Sequence, residues 1–177
     1  MINNASKWII DCTDKIPESN NIKTVLDLAC GSGRNSILFS NKNYKIIAVD
    51  INSKYLNSFN GNNIYRILAD IEDVAKWPFI EKSFDIIIVV NFLNRKIFKN
   101  IFKSLKKDGY LIYETFGEGQ EKIGKPKNKE FLLKKNELLK ISKELKLIAY
   151  EEVKVFSQEI NYIKHRIMCK NVQHKNL

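Results

Sequence analysis

The chain has 177 residues and a formal net charge of +10, with 44% apolar and 28% charged residues. This length and composition predict one globular domain. No apolar run approaches the about 20 residues of a membrane span, and the N-terminal stretch MINNASKWIIDC lacks a signal-peptide pattern. Three widely spaced cysteines, Cys12, Cys30 and Cys169, indicate neither a disulfide framework nor a zinc site. We therefore expect a cytoplasmic protein with no membrane partner.

The positive charge raises the question of nucleic-acid binding. The excess is almost entirely lysine, spread along the chain, whereas the planar arginine side chain is the one that favours phosphate and base-edge recognition. The few arginines are Arg34, Arg66, Arg95 and Arg166. A nucleic-acid partner therefore stays an alternative, and a solvated lysine surface is favoured.

Short runs of Val, Ile and Leu alternate with helical patterns along the chain. Strands are predicted at Thr24–Leu28, Lys45–Asp50, Ile64–Ala69, Phe84–Val90, Tyr110–Phe116, Leu147–Phe156 and Ile160–Lys170. Helices are predicted at Asn35–Asn41, Ser53–Asn60, Asn94–Lys107 (capped by Asn94 and closed by Gly109) and near Lys135–Leu145.

The alternation predicts an α/β fold with a doubly wound, mostly parallel sheet. The last two strands are separated only by Ser157–Glu159, a turn too short for a crossover helix, so they should form an antiparallel hairpin. We divide the single domain 1–177 into a helical segment 1–20, a core 24–116, a candidate lid 117–130, and a helix with the hairpin 131–170.

Polar residues stand where each predicted strand ends. The first such segment, VLDLACGSGRN, places Asp27 in an apolar strand and follows it with Gly31 and Gly33. One interpretation is a dinucleotide-binding turn, but Ser36 occupies the third glycine position and Asp27 would repel a pyrophosphate. A carboxylate beside a glycine-rich turn instead suits a cationic ligand.

The segments VLDLACGSG, IIAVD and ILADIED together resemble the cofactor-binding segments of class I S-adenosylmethionine-dependent methyltransferases. GSGRNS and FLLKKNELL are similar to the tellurite-resistance and thiopurine methyltransferase group. Ala29 departs from the family, which usually has glycine there. The resemblance implies the Rossmann-like class I methyltransferase fold, S-adenosyl-L-methionine as cofactor and S-adenosyl-L-homocysteine as product.

The resemblance also implies which residues contact the cofactor. Asp27, Gly31 and Gly33 are expected around its methionine part, and Asp50 at its ribose hydroxyls. The full expected set is Asp27, Ala29, Gly31, Gly33, Asn35, Asp50, Ile51, Asp70, Ile71 and Asn91.

The adenine side of the expected site involves the ends of the next strands. Ile51 would pack on the ring, Asp70 would accept from its amino group, and the Ile71 N–H would meet a ring nitrogen. The Asn91 carbonyl would lie near the cofactor's ammonium group. Alternatively, Asp50 caps a helix, Asp70 caps a turn and Asn91 satisfies backbone groups at a strand end.

Substrate-side candidates are Arg34, Asn94, Arg95 and Glu114, and the candidates for catalytic groups are Glu114, Arg95 and Tyr113. Glu114 is open to three interpretations: a base, an anchor for a cation, or a buried ion pair. Trp8 lies either over the cofactor or in a helix that docks on the core. Neither His165 nor His174 has a metal partner at useful spacing, so no metal is expected.

These observations predict a methyltransferase that acts on a small-molecule nucleophile, with a soft sulfur, selenium or tellurium centre as one candidate. The chain carries no inserted recognition domain, and this favours a small methyl acceptor. The alternatives are an RNA-modifying methyltransferase, a non-catalytic adenosylmethionine-binding module and an NAD(P)-dependent oxidoreductase. A monomer and a homodimer are both open.

Overall fold

The computed structural model describes residues 5–157 and 160–172. One seven-stranded sheet has the strand order β3-β2-β1-β4-β5-β7-β6. Its strands are β1 (Thr24–Leu28), β2 (Lys45–Asp50), β3 (Ile64–Leu68), β4 (Phe84–Val90), β5 (Leu105–Phe116), β6 (Lys146–Phe156) and β7 (Asn161–Lys170). The helices are α1 (Lys7–Thr13), α2 (Arg34–Asn41), α3 (Ser53–Leu56), α4 (Phe98–Ser104), α5 (Gln120–Ile123) and α6 (Glu137–Ile141).

The pairing of the strands confirms the predicted fold class. Strands β1 to β5 pair in parallel, and β7 runs antiparallel to both β5 and β6. The hairpin expected at the end of the chain is therefore present, and it extends the sheet beyond β5.

Apolar side chains cover both faces of the sheet, as dense Val/Ile/Leu strands require. On one face, α1 to α3 contribute Trp8, Phe39 and Leu56 to a core against β1, β2 and β4. On the other face, α4 and α6 contribute Ile101 and Leu138 to a second core. The sheet is thus doubly wound, and its strand ends are the part of the central layer that a ligand can reach.

The helix predicted at Asn94–Lys107 was wrong at its C-terminal end. Asn94 does cap the start, since its side chain accepts from the Lys96 N–H, but the helix ends at Ser104 and β5 begins at Leu105. Leu105 pairs with Phe84 of β4. Gly109 lies inside β5 rather than closing a helix, and a Cβ there would stand 3.1 Å from the Asp85 carbonyl oxygen.

The helix predicted at Ser53–Asn60 is also shorter than expected. It ends at Leu56. The Arg66 guanidinium donates to the carbonyls of Leu56 and Phe59 at 2.8 and 3.2 Å, which satisfies the chain where the helix stops. The early stop lets the Phe59 ring turn toward Gly33.

Parts of the predicted segments, residues 1–4, 158–159 and His174, lie outside the described residues. Within the described ranges, no helix is long and apolar enough to cross a membrane, and no cluster of His, Cys, Asp and Glu could hold a metal ion.

Candidate functional site

The strand order reverses between β1 and β4, and this is the point where open α/β sheets bind ligands, outside the carboxyl ends of the strands. The chain leaves β1 in a tight loop with three residues in the left-handed region: Ala29 (φ 54°), Gly31 (φ 54°) and Gly33 (φ 72°). The loop is pinned to β2 by the Cys30 N–H, which donates to the Val49 carbonyl at 3.0 Å.

The two glycines of the loop serve different purposes. At Gly31 a Cβ would meet nothing within 4 Å, so the backbone faces open space there. At Gly33 a Cβ would overlap the Phe59 ring at 2.2 Å. Gly31 therefore leaves the backbone open to a ligand, whereas Gly33 lets the loop close onto Phe59 and begin α2.

Asp50, at the end of β2, is a buried carboxylate fixed by backbone donors. Its Oδ2 accepts from the Gly31 N–H and its Oδ1 from the Asn52 N–H, both at 2.8 Å. These bonds tie the end of β2 to the glycine loop. The capping of α3 falls to Asn52, whose side chain accepts from the Lys54 N–H.

Asp27 is also buried, with 1% of its surface exposed. Its Oδ2 accepts from the Ser36 hydroxyl at 2.6 Å. Burial raises the pKa of Asp27 to about 7, with the Ser36 hydrogen bonds and the charge of Arg34 opposing the shift. Because desolvation outweighs the favourable contacts, the ionised form of this carboxylate would gain from a cation beside it.

The ends of β2 and β3 leave an exposed edge. Ile51 is 67% exposed, although it is apolar, whereas Ile71 is buried. Asp70 is exposed, and its carboxylate accepts from the Glu72 N–H at 2.9 Å in a local turn.

The end of β4 turns sharply at Asn91, which has a φ of 58°. Its N–H donates to the Glu114 carbonyl at 2.8 Å. Tyr113 holds the next residue, because its hydroxyl donates to the Phe92 carbonyl at 2.7 Å. Burial raises the pKa of Tyr113, and its ring stacks on Phe98, so this hydroxyl supports the chain after β4.

Glu114 is buried in a network of donors. Its Oε1 accepts from the Lys164 Nζ at 2.7 Å and the Ser6 hydroxyl at 2.9 Å, and its Oε2 accepts from the Arg166 Nε at 2.6 Å. Although burial opposes it, Lys164 and Arg166 hold the pKa of Glu114 below its usual value. Of the three interpretations of this residue, the geometry fits the buried ion pair.

The Arg95 side chain forms hydrogen bonds with the segment that follows β5. Its guanidinium pairs with Glu137, with Nε to Oε1 at 2.6 Å, and donates to the carbonyls of Glu130 and Leu132 at 2.6 and 2.9 Å. The neighbouring Asn94 caps the 3-10 turn Arg95–Ile97. Arg95 thus anchors residues 117–133, the covering segment, and its guanidinium hydrogen bonds are made within the protein.

Arg34 and Asn35 begin α2 beside the glycine loop. The positive charge of Arg34 lowers the pKa of both Asp27 and Lys164, so Arg34 is near both groups. Asn35 is buried, and its Oδ1 accepts from the Ser6 N–H at 3.0 Å. Ser6 therefore bridges α2 to Glu114 of β5.

A cavity of about 620 Å³ opens at the carboxyl ends of β4 and β5. Its wall is formed by Glu72, Asn91, Phe92, Leu93, Thr115, Phe116, Lys125, Pro126, Lys127 and Phe131. Asn91 belongs to this wall, and it also adjoins the crevice, which is the space outside the carboxyl ends of β1 and β4 where the strand order reverses. A second cavity of about 760 Å³ lies among residues 13–23 and 42–44, just before β1 and β2 begin. It is therefore at the amino ends of these strands, and the glycine loop is at their carboxyl ends.

Several residues of this region were missed by sequence reasoning. Ser6, Lys164 and Arg166 complete the environment of Glu114, and Phe131 lines the cavity. The alternation of Tyr162, Lys164 and Arg166 along β7 was the available signal, since residues two apart share a face of a strand. Trp8 is buried against α2 and the sheet as part of the core, which agrees with the docking interpretation.

Residues 25–109 match the family model described as "Methyltransferase domain". The Bacillus subtilis (strain 168) protein YqeM, named as a methyltransferase, is 29% identical over an aligned length of 122 residues, and the alignment covers 62% of this chain and 47% of that protein. The chain thus spans about half the length of the curated relatives that it matches.

Two solved structures show the same fold. A SAM-dependent methyltransferase from Methanosarcina mazei has a TM-score of 0.73 at 16% identity, covering 97% of this chain and 100% of the other. TehB from Haemophilus influenzae has a TM-score of 0.72 at 23% identity, covering 92% of this chain and 60% of the other.

The family match covers the glycine loop, β2 with Asp50, β3 with the following Asp70, and β4. These are the parts of the chain that form the crevice. The sheet agrees with that of the solved methyltransferases. The Methanosarcina mazei protein is named as dependent on S-adenosylmethionine. Residues 25–109 thus match a methyltransferase domain, and the chain has the fold of solved S-adenosylmethionine-dependent methyltransferases.

Proposed function

We propose that this protein transfers a methyl group from S-adenosylmethionine to a small-molecule nucleophile. The single observation that supports this most is the pair of buried carboxylates at the crevice: Asp50, bonded to the Gly31 N–H, and Asp27, directly before the loop. The residues present suit the cofactor, because the loop backbone is open at Gly31 and Asp27 has a pKa that a bound cation would lower.

In the proposed arrangement, the methionine part of the cofactor lies along the loop from Ala29 to Gly33, with Asn35 and the Asn91 carbonyl nearby. Asp27 complements the positive charge, and Asp50 accepts from the ribose hydroxyls. A carboxylate has lone pairs left after the two backbone bonds that Asp50 makes, so it can do this without releasing the loop.

The adenine would lie at the exposed edge formed by the ends of β2 and β3. The exposed Ile51 supports this placement, since a ring packed on it would remove apolar surface from water. Asp70 and the Ile71 N–H would then accept from and donate to the ring edge.

When bound, S-adenosylmethionine supplies a methyl carbon on a positively charged sulfur; the acceptor's lone pair takes that carbon while the carbon–sulfur bonding pair stays on sulfur. The protein contributes position and exclusion of water. Among the described residues that line the cavity, Glu72 is the only carboxylate. Glu114, Arg95 and Tyr113 are engaged elsewhere, which favours an acceptor that needs no strong base, such as a thiolate or another soft centre.

Calorimetric titration with S-adenosylhomocysteine and S-adenosylmethionine tests the proposal. We expect both to bind, and Asp50→Ala to weaken binding about 30-fold or more, since it removes charge-assisted hydrogen bonds. Glu144→Ala, at an exposed acid in the segment after α6, is the matched control. No heat and no thermal shift with either ligand would overturn the proposal.

The two alternatives within the same fold give different results. The net charge of +10 is the observation that favours an RNA-modifying enzyme. Such an enzyme would bind RNA with an affinity that falls steeply with salt concentration, because neutralised phosphates release counterions. A non-catalytic module would bind the cofactor without methyl transfer to any member of a cell-extract metabolite pool. The three cysteines are free and buried, which agrees with the cytoplasm as the proposed compartment.

A further inference from the structure

The cavity beside Asn91 has a wall made from three parts of the chain. The loop after β3 supplies Glu72, and the carboxyl ends of β4 and β5 supply residues 91–93 and 115–116. The segment after α5 supplies residues 125–127 and Phe131. A volume of about 620 Å³ lies within the range that encloses small organic ligands.

The wall is mainly apolar, with three aromatic rings at Phe92, Phe116 and Phe131 and further apolar groups at Leu93 and Pro126. Phe131 is 48% exposed, although such a ring gains from burial. A hydrated inorganic oxyanion would gain nothing from these rings, whereas a ring-bearing or branched aliphatic molecule would cover them.

The cavity has positive side chains on one part of its wall and one negative side chain on another. Lys125 and Lys127 flank Pro126 on the covering segment, and Glu72 stands on the wall supplied by the loop after β3. The backbone at Lys125 is fixed, since its carbonyl accepts from the Gln120 side chain at 3.0 Å, and the Lys127 Nζ donates to the Glu121 carbonyl at 2.7 Å. The lysine side of the cavity therefore suits a negative group.

The covering segment is held in place without a ligand. Gly117 forms a bridge with Leu133, and Arg95 binds the carbonyls of Glu130 and Leu132. The Gln120 side chain also accepts from the Ile163 N–H at 2.8 Å. A wall fixed in this way costs little ordering on binding, so the shape seen is the shape that selects the ligand.

Building on the proposed function, we propose that the methyl acceptor is an apolar, ring-bearing small molecule with an anionic group, held by the rings of the cavity and by Lys125 and Lys127. The reacting atom can still be a soft one, such as the sulfur of an aryl thiolate. Free inorganic oxyanions of selenium or tellurium are excluded by this assignment.

The test measures binding of chosen probes to the full chain by calorimetry, with S-adenosylhomocysteine at saturation. The probes are 2-naphthoate, its neutral analogue 2-naphthalenemethanol, the cation 2-naphthylmethylammonium, and tellurite. We expect 2-naphthoate to bind at least about tenfold more tightly than the neutral probe and the cation, and tellurite not to bind.

Two variants assign the binding to this cavity. Phe131→Ala should weaken 2-naphthoate about tenfold, and its control is Phe156→Ala, another exposed ring on β6. Lys125→Gln should weaken 2-naphthoate several-fold and leave 2-naphthalenemethanol unchanged, while Lys122→Gln, which lies outside the wall, should change neither.

The outcomes separate this inference from the proposed function. If S-adenosylhomocysteine binds but 2-naphthoate does not, or if tellurite binds instead, the acceptor class is overturned and the cofactor assignment stands. If S-adenosylhomocysteine itself does not bind, the proposed function fails. Binding of 2-naphthoate that Phe131→Ala and Lys125→Gln leave unchanged would also overturn the inference, because the probe would then occupy another place.

Discussion

Asp27 and Glu114 are two carboxylates on the same face of the sheet, each only 1% exposed, with opposite environments. Glu114 receives two cations and a hydroxyl, and its pKa lies below the usual value. Asp27 is bonded to the Ser36 hydroxyl, and burial raises its pKa to about 7. Equal burial therefore marks neither residue as functional; the acid whose charge the protein leaves largely uncompensated is the one suited to a cationic ligand.

Replacing Glu114 should have the largest effect on stability. Glu114→Gln leaves the largely buried Lys164 without its carboxylate partner and Arg166 with only Glu151 at 3.5 Å, and we expect the free energy of unfolding to fall by about 3–5 kcal/mol. Urea denaturation measures this. Glu151→Gln is the control, since Glu151 is 3.5 Å from the same arginine but largely exposed. A loss below about 1 kcal/mol would show that the network is not a stabilising one.

The affinity for S-adenosylmethionine should depend on pH through Asp27. The cation favours the ionised carboxylate, so the pKa of Asp27 falls on binding and affinity drops as the pH falls below about 7. Between pH 8 and 5.5 we expect a loss of about 30-fold, measured by calorimetry. Asp27→Asn should flatten this part of the profile and leave only the titration of the ligand's own amino group. An identical profile in wild type and variant would contradict the assignment.

Asp27 should also lower the stability of the ligand-free protein at alkaline pH. Its pKa in the folded state is raised above the unfolded value, so the folded state binds more protons and stability falls as the pH rises from about 4 to about 7. Asp27→Asn should therefore stabilise the ligand-free protein at pH 8, by about 1–2 kcal/mol. A destabilised variant would mean that the carboxylate is satisfied by the protein after all.

Ser6→Ala should have the smallest effect. The change removes one hydrogen bond to Glu114 but leaves both cations in place, so we expect a loss of about 1 kcal/mol in thermal or urea unfolding. Ser58→Ala, at an exposed hydroxyl, serves as control. If the free energy of unfolding fell as much as it does in Glu114→Gln, the hydrogen bond from Ser6, and not the two ion pairs, would be the main stabilising contact of Glu114.

The sequence predicted the strands near the crevice closely because each is a dense apolar run with a polar end. The observed bounds of β1, β2 and β4 agree with the prediction, and the antiparallel hairpin is confirmed. The helix errors have tertiary causes. β5 begins at Leu105 because this residue pairs with Phe84. α3 ends early, where the Arg66 guanidinium donates to the carbonyl of Leu56.

The sequence predicted those parts of the candidate site that depend on residues close together in the chain. Asp27, the glycines and Asp50 could be named because they stand at or near the ends of predicted strands, and the structure brings them together at one loop. The surroundings of Glu114 were not predictable, because Lys164 is 50 positions away and becomes a neighbour only through the register of β5 against β7. Arg95 was a candidate for the substrate side, and its partners Glu137, Glu130 and Leu132 depend likewise on how the covering segment folds back.

Whether Asp27 and Asp50 hold the cofactor can be seen in a crystal structure of the complex with S-adenosylhomocysteine. We expect the ribose hydroxyls at hydrogen-bond distance from the Asp50 carboxylate, with the ligand's ammonium group on the Asp27 side of the loop and its chain passing over Gly31. Density for the ligand away from the carboxyl ends of β1 and β2, with neither carboxylate facing it, would show that Asp27 and Asp50 do not bind the cofactor.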